Sequence, residues 1–157
     1  MTPDNQYLQD IITVHQDAHR QMREAITGLE TDALNWTPAP DTSSIGTVIT
    51  HVLGAQAEML RNLLNIPTDR DRAAEFAPRT HELTSLLNLL DAADDDLQQL
   101  ASRLQEEHLR TSLPRPNKPV PQSGLFWLVR NYGHIREHLA QVRLTRQLYQ
   151  LKDQEVE

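Results

Sequence analysis

The chain has no cysteine among its 157 residues. This absence excludes a disulfide framework, a thiolate metal site and a cysteine nucleophile. Any thiol chemistry would therefore need a thiol carried by a small molecule. Aromatic residues make up only 4% of the chain, which is too few for base-stacking platforms, and 22 acidic residues outnumber 15 basic ones to give a net charge of −7. Without a basic stripe for phosphate contacts, we expect no nucleic-acid partner.

Long hydrophobic runs are also missing. No apolar segment approaches the roughly 18–20 residues that a membrane span requires, so we expect no membrane partner. The first ten residues, MTPDNQYLQD, are polar and acidic, unlike a secretory signal. The sequence therefore predicts a cytoplasmic protein. Its length predicts a single domain over residues 1–157, large enough to bury a real core.

Four segments have apolar residues at helical spacing, and none alternates as a strand does. The predicted helices cover residues 4–29, 44–64, 79–107 and 123–151. Between the second and third lies a long charged connection, TDRDRAAEFAPR, that has room for one helical turn. The third predicted helix contains three successive aspartates, Asp94, Asp95 and Asp96, which we interpret as a solvated turn. An all-α four-helix bundle is the simplest architecture for this pattern.

Proline marks the connection between the third and fourth predicted helices. The segment LPRPNKPVPQSG holds four prolines between Pro114 and Pro121. We predict that this segment is extended, because proline cannot continue a helix. It should cross one end of the bundle, where it could form the wall of a pocket.

His134 and His138 are four residues apart in the last predicted helix, so their rings project from the same face. This spacing allows two imidazoles to bind one metal ion at about 2.0–2.1 Å each. His51, beside the apolar stripe of the second helix, could supply a third nitrogen and leave one coordination position open, as in catalytic sites. The alternative for His51 is a histidine at the edge of the core that donates to a backbone carbonyl.

A family resemblance rests on several of these residues. A W-x-P sequence at Trp36, the segment SSIGTVITHVLGAQAEML and the later GHIREHLAQVRLTRQLY resemble the DinB-like metal-binding superfamily of small bacterial four-helix bundles. Ser-Ile-Gly at the start of the second helix precedes His51, and Gln141 follows His138 by three residues, as in that family. The resemblance extends over nearly the whole chain.

The resemblance implies a three-histidine site at His51, His134 and His138, which would hold a divalent ion, zinc or nickel first and iron next, with water completing its coordination. It also implies an up-down-down-up bundle and, for several relatives, a low-molecular-weight thiol cosubstrate such as bacillithiol or mycothiol. Family members are often homodimers. The resemblance therefore implies a metal-dependent enzyme that transfers a thiol to, or hydrolyses, an electrophilic small molecule.

Further polar residues could serve the same site. Glu58, two turns after His51, could act as a proton acceptor or as a partner of a metal ligand. Asn131 belongs to the polar seam of the last helix. His15 and His19, a second pair four residues apart, could line the pocket or supply a fourth ligand, or could lie at a helix–helix seam. For His81 and His108 we expect exposure to water.

The sequence leaves three functions open. A metal-dependent S-transferase or hydrolase is the first, and a non-catalytic metal-binding or stress-associated scaffold is the second. In the third, the histidines are satisfied seam residues of a structural bundle. No serine–histidine–aspartate order and no phosphate-binding glycine loop indicates another chemistry.

Overall fold

The computed structural model describes residues 3–115 and 118–152. Its four long helices are α1 (Pro3–Ile26), α3 (Ile45–Leu63), α5 (Leu83–Ala101) and α7 (Gly124–Leu151). Three short helices, α2 (Thr31–Asn35), α4 (Arg72–Glu75) and α6 (Glu106–Arg110), lie in the connections between them. The prediction of an all-α fold built on four long helices is confirmed.

The ends of the long helices follow local chemistry. Gly28, with a φ of 79°, adopts the left-handed conformation just after α1, where glycine avoids the strain of a Cβ atom. Ser44 caps the start of α3 by accepting a hydrogen bond from the Thr47 amide, and Ser123 caps α7 by accepting one from the Phe126 amide.

The long helices form a ring in which α1 and α3 each pack between α5 and α7. Side-chain bonds show the directions. Gln21 and Ala25 of α1 accept from Arg136 and Arg146 of α7, so these two helices run parallel.

The α1–α5 pair runs the other way, because Arg23 bonds Asp91 and Asp94 while Thr31, beyond the end of α1, bonds Glu82 before the start of α5. Buried aliphatic residues from all four long helices fill the centre of the ring. The α3–α7 pair is also antiparallel, because Val48 near the start of α3 belongs to the same buried apolar cluster as Val142 of α7, while Met59 near its end belongs to that of Trp127. These directions give the up-down-down-up order.

The structure corrects the third predicted helix. It begins at Leu83 and not near Arg79, because residue 81 is tied to α2: the His81 amide donates to Asn35 Oδ1, and Asn35 Nδ2 donates to the His81 carbonyl. These bonds hold the backbone outside a helix and bury the His81 side chain, which is only 6% exposed. The expectation of a water-exposed His81 is therefore wrong. The helix ends at Ala101, and α6 is separate.

No alternating pattern in the sequence indicated a strand, yet the structure contains a small hairpin. Within the proline-rich connection, β1 (Ser112–Arg115) and β2 (Lys118–Ser123) pair as an antiparallel hairpin, with Ser112 opposite Ser123. Proline is tolerated in such edge strands because the missing amide can face away from the ladder. The segment is extended, as predicted; Pro116 and Asn117 lie outside the described residues.

In the part of the chain that the structure describes, no helix combines the length and the hydrophobicity needed to cross a lipid bilayer.

Candidate metal centre

Three histidine rings meet between α3 and α7. The His51 centroid lies 5.3 Å from that of His134 and 5.4 Å from that of His138, and the two rings on α7 are 4.5 Å apart. One nitrogen from each ring falls within 4.8 Å of the others. The three nitrogens are close enough to bind the same ion. The four-residue spacing on α7 and the antiparallel contact with α3 produce this convergence.

His138 on α7 presents the nitrogen lone pair that a metal ion needs. His138 Nδ1 lies 3.0 Å from Gln141 Oε1, which can only accept, so Nδ1 carries the proton and Nε2 keeps a lone pair. That Nε2 is 3.1 Å from His134 Nε2. The Nε2 atom of His134 carries either a proton that it donates to His138 or a second lone pair, and two lone pairs at this distance would repel without a cation between them. Their spacing suits two nitrogens bound to one ion at about 2.0–2.1 Å.

His51 is oriented by a carboxylate. Its Nδ1 is 2.9 Å from Glu75 Oε2, so this nitrogen donates and Nε2 remains for another partner. Glu75 is held in turn by Arg70, whose Nε and Nη2 atoms donate to its two oxygens at 2.7 and 2.8 Å. A carboxylate on the remote nitrogen is a common support for a metal-binding histidine.

The environment favours the neutral form of His51 and His134. Burial, together with the neighbouring His138 and His51 rings and the Arg70 and Arg130 cations, lowers the pKa of His134 to about 4. Burial also lowers the pKa of His51, although its bond to Glu75 opposes that shift. A neutral imidazole offers a lone pair to a metal, so near pH 7 protons do not compete for His134.

A cavity of about 250 Å³ opens beside His51 and His134. It is lined by charged and polar side chains together with an aromatic ring: Glu58, Arg70, Arg72, Trp127, Arg130 and Asn131. A small molecule in this cavity would contact two of the three histidines. The site thus combines three candidate ligands with space for a substrate.

The candidate accessory residues divide into two groups. Glu58 and Asn131 line the cavity, and Glu58 accepts a hydrogen bond from Arg70 at 2.9 Å. His15 and His19 are buried elsewhere and do not contribute to the described lining of this cavity. His19 Nδ1 is 2.6 Å from Asp94, and its Nε2 is 2.9 Å from the Gln56 amide. Both of its nitrogens are therefore occupied within the bundle.

His15 binds its own helix. Its Nδ1 donates to the Ile11 carbonyl at 2.8 Å, and its ring lies 5.6 Å from that of Tyr132. Asn131 interacts with the same ring and tends to raise its pKa, but burial dominates and lowers it. The pair at positions 15 and 19 therefore occupies helix–helix seams, one of the alternatives that the sequence left open.

Sequence reasoning missed Arg70 and Glu75. Both lie in the charged connection between α3 and α5, which appeared to be a solvated link. Asp71 caps α4 by accepting from the Ala74 amide, and this single turn carries Glu75 back over α3. The only local signal was Asp71, an N-cap residue type three positions before Ala74. An aspartate in a charged stretch is too common to indicate a site.

Comparison with known proteins agrees with this architecture. The family model described as the DinB superfamily matches residues 15–142. A conserved protein from Enterococcus faecalis superposes with a TM-score of 0.72 at 18% identity, over 89% of this chain and 95% of that one. A DinB-like protein from Bacillus subtilis gives 0.61 at 14% identity, over 90% of each chain.

At these identities the two structures are evidence for the fold alone. No curated protein matches the chain. The family model, however, covers most of the sequence, and its match includes all three histidines of the candidate metal centre. The chain belongs to the DinB superfamily.

Proposed function

We propose that His51, His134 and His138 bind one divalent metal ion and that the protein is a metal-dependent enzyme acting on a small electrophilic molecule. The observation that carries this proposal is the pair of ring nitrogens facing each other at 3.1 Å, one of which is fixed as a lone-pair donor by Gln141. Zinc and nickel suit an all-imidazole donor set, and iron is a further candidate.

Three protein ligands leave a coordination position for a substrate or water, which is the arrangement of catalytic rather than structural sites. When bound, a divalent ion lowers the pKa of a coordinated thiol or water, so that an anion forms near neutral pH. The residues of this chain hold the donors, and the adjacent cavity admits the reactants.

Glu58 is the carboxylate that we assign to proton transfer, because it lines the cavity and only its Oε2 atom is engaged by Arg70. In the proposed thiol reaction, the sulfur forms a bond to the electrophilic carbon and the leaving group departs with its bonding electrons. Glu58 takes the proton that the thiol loses. With water in place of the thiol, the same steps produce hydrolysis.

The charges around the cavity favour an anionic thiol. Glu75 and Glu58 neutralise Arg70, whereas Arg72 and Arg130 form no ion pair with the acidic residues that the structure describes. Two uncompensated guanidinium groups in a protein of net charge −7 suit a carboxylate-bearing ligand. Such thiols are kept reduced in the cytosol. The proposal thus places the protein in the cytoplasm, in a bacterium as for both structural relatives.

The metal content of protein purified without a histidine tag tests the first half of the proposal. We expect one zinc or nickel ion per chain after loading and dialysis, measured by elemental analysis. Protein that holds no ion under zinc- and nickel-replete conditions would leave only a structural role for the three rings.

A thiol-transfer assay tests the second half. With carboxylate-bearing thiols and a chlorinated electrophile, Arg130→Gln should raise KM for the thiol roughly 10-fold and change kcat little, because it removes a charge-assisted bond to the substrate. With the uncharged thiol 2-mercaptoethanol, wild type and variant should have equal KM values. Metal-loaded protein that turns over neither thiol nor water substrates would indicate a non-catalytic metal-binding scaffold.

We also propose that the protein forms a homodimer through the exposed side of α7. Leu144, Leu148 and Leu151 follow one another at helical spacing and are 55%, 39% and 50% exposed. Large apolar side chains clustered on one helix face are typical of protein interfaces. Leu144→Glu should halve the mass measured by light scattering, whereas an unchanged mass would remove this face from consideration.

A further inference from the structure

We propose that Glu75 is a positioning residue for the metal ligand His51, and that Gly54 supplies the gap through which its carboxylate reaches the ring. This inference rests on the proposed metal binding and deepens it. It assigns a function to the connection between α3 and α5, which contributes no metal ligand of its own.

The proton position on His51 follows from its two neighbours. Glu75 Oε2 lies 2.9 Å from Nδ1, and Arg70 Nη2 lies 3.3 Å from the same atom. A carboxylate can only accept, and a guanidinium can only donate. The shorter contact therefore sets the tautomer, with the proton on Nδ1 and the lone pair on Nε2. Without Glu75, Arg70 would favour the opposite tautomer, which points the lone pair away from the other two histidines.

Arg70 and Glu75 form a largely buried, bidentate ion pair. The guanidinium binds both carboxylate oxygens, and its Nη1 donates to Glu58 on α3 at 2.9 Å. Side chains of Arg70 and Glu75 are only 12% and 10% exposed. Burial raises the pKa of Glu75, but bonds from Arg70 and His51 outweigh it and lower that pKa, so the carboxylate stays charged. A bidentate pair of this kind constrains orientation as well as charge.

Gly54 lies three residues after His51, on the face of α3 that the carboxylate covers. A Cβ atom at this position would overlap Glu75 Oε1 and come within 3.3 Å of Arg70 Nε. The overlapped atom is the end of a flexible side chain, so the fold can accommodate alanine by moving Glu75 aside. The cost of the substitution should therefore appear at His51 rather than in the core.

The expected effect is on metal affinity. Losing the partner of a metal-bound histidine typically weakens binding by about 10- to 100-fold, because the ring rotates more freely and becomes less basic. Gly54→Ala and Glu75→Gln should both weaken zinc binding within this range. Glu75→Gln keeps a side-chain oxygen that can accept from Nδ1, so Glu75→Ala should have the larger effect.

Gly133→Ala is the matched control. This glycine also lies inside a long helix, next to the ligand His134, but a Cβ atom there would meet nothing within 4 Å. Zinc affinity, measured by chelator competition, should fall in Gly54→Ala and stay within about 2-fold of wild type in Gly133→Ala. With EDTA present, the melting temperature of Gly133→Ala should equal or exceed that of wild type, because alanine favours helix over glycine.

A double variant tests whether Gly54 acts through Glu75. Gly54→Ala combined with Glu75→Ala should bind zinc no more weakly than Glu75→Ala alone. Once Glu75 is alanine, the methyl group added at position 54 has no carboxylate left to displace. Additive losses of zinc affinity would show that Gly54 does not act through Glu75. The visible spectrum of the Co²⁺-loaded protein should also change in Glu75→Ala and not in Gly133→Ala.

The outcomes separate the two proposals. A wild-type protein that binds no metal would overturn the proposed function and this inference with it. A wild type that binds one ion, with Gly54→Ala and Glu75→Ala both within about 2-fold of its affinity, would overturn the inference alone. A variant whose melting temperature falls while its affinity is kept would indicate a structural role only.

Discussion

Replacing both His134 and His138 by alanine is expected to reduce the bound metal from one ion per chain to none. The two rings supply two of the three nitrogens, and His51 alone cannot chelate an ion on its helix. A single imidazole binds divalent metal far more weakly than a set of three converging donors. Elemental analysis after dialysis measures the loss directly.

The same variant should lose the stabilisation that metal gives the fold. A ligand present at 1,000 times its Kd stabilises a protein by about 4 kcal/mol if it binds only the folded state. Saturating zinc should therefore raise the melting temperature of the wild type clearly and that of the variant hardly at all. Calorimetry with and without zinc makes this comparison.

His108→Gln is the control for the number of histidines. His108 is part of a capping box with Gln105 at the start of α6, and glutamine preserves that box while removing an imidazole. We expect this variant to bind metal as the wild type does. Equal loss of metal in both proteins, or retention in the double alanine variant, would contradict the three-histidine site.

The second large effect is expected at Asp94. This aspartate bonds His19 at 2.6 Å and Arg23 at 2.8 Å, which ties α5 to α1. His19 is fully buried, so Asp94→Ala would leave its Nδ1 without a partner. We expect a loss of about 2–3 kcal/mol in the free energy of unfolding, measured in urea. Metal binding should be preserved, because neither Asp94 nor its two partners line the cavity beside the three histidines.

The loss at Asp94 should depend on pH in a defined direction. Burial raises the pKa of this carboxyl, but bonds from His19 and Arg23 outweigh it and lower the pKa below its ordinary 3.8. A carboxyl with a depressed folded-state pKa stabilises the protein above its unfolded pKa, and that contribution is lost as the pH falls through the folded value. The difference between wild type and variant should be constant near neutral pH and shrink below about pH 4.

Asp95→Ala is the matched control, because Asp95 is the exposed neighbour on the same helix. Its substitution should change stability by less than about 0.5 kcal/mol. If the two aspartates had equal effects, or if the effect of Asp94 did not diminish in acid, the bonds to His19 and Arg23 would not be the source of stability.

Asp94 shows where sequence reasoning ended. Three successive aspartates have the composition of a turn, and no local rule distinguishes the one that faces inward. In the structure all three aspartates lie in α5. Asp94 forms an ion pair with Arg23 of α1, and Asp96 forms one with Arg61 of α3. Their partners are more than 30 positions away in the chain. Such pairs stabilise a helix through contacts with other helices, which the intrinsic helix propensity of its residues does not describe.

The sequence by itself determined the four long helices and the face of α7 that carries His134 and His138. Helical periodicity specifies which residues share a face, and that rule depends only on near neighbours in the chain. The same rule placed His51 beside the buried stripe of α3. The convergence of the three rings then required only that the two helices pack together in the expected order.

The tertiary structure alone decided which groups support the site. Arg70 and Glu75 follow His51 by 19 and 24 positions, in a connection with weak periodicity. Their place depends on how that connection folds back over Gly54, and no local pattern encodes this. His15 and His19 show the converse, since their spacing matches that of the α7 pair while their surroundings differ. Spacing defines a common face, but only the packing of helices defines what that face meets.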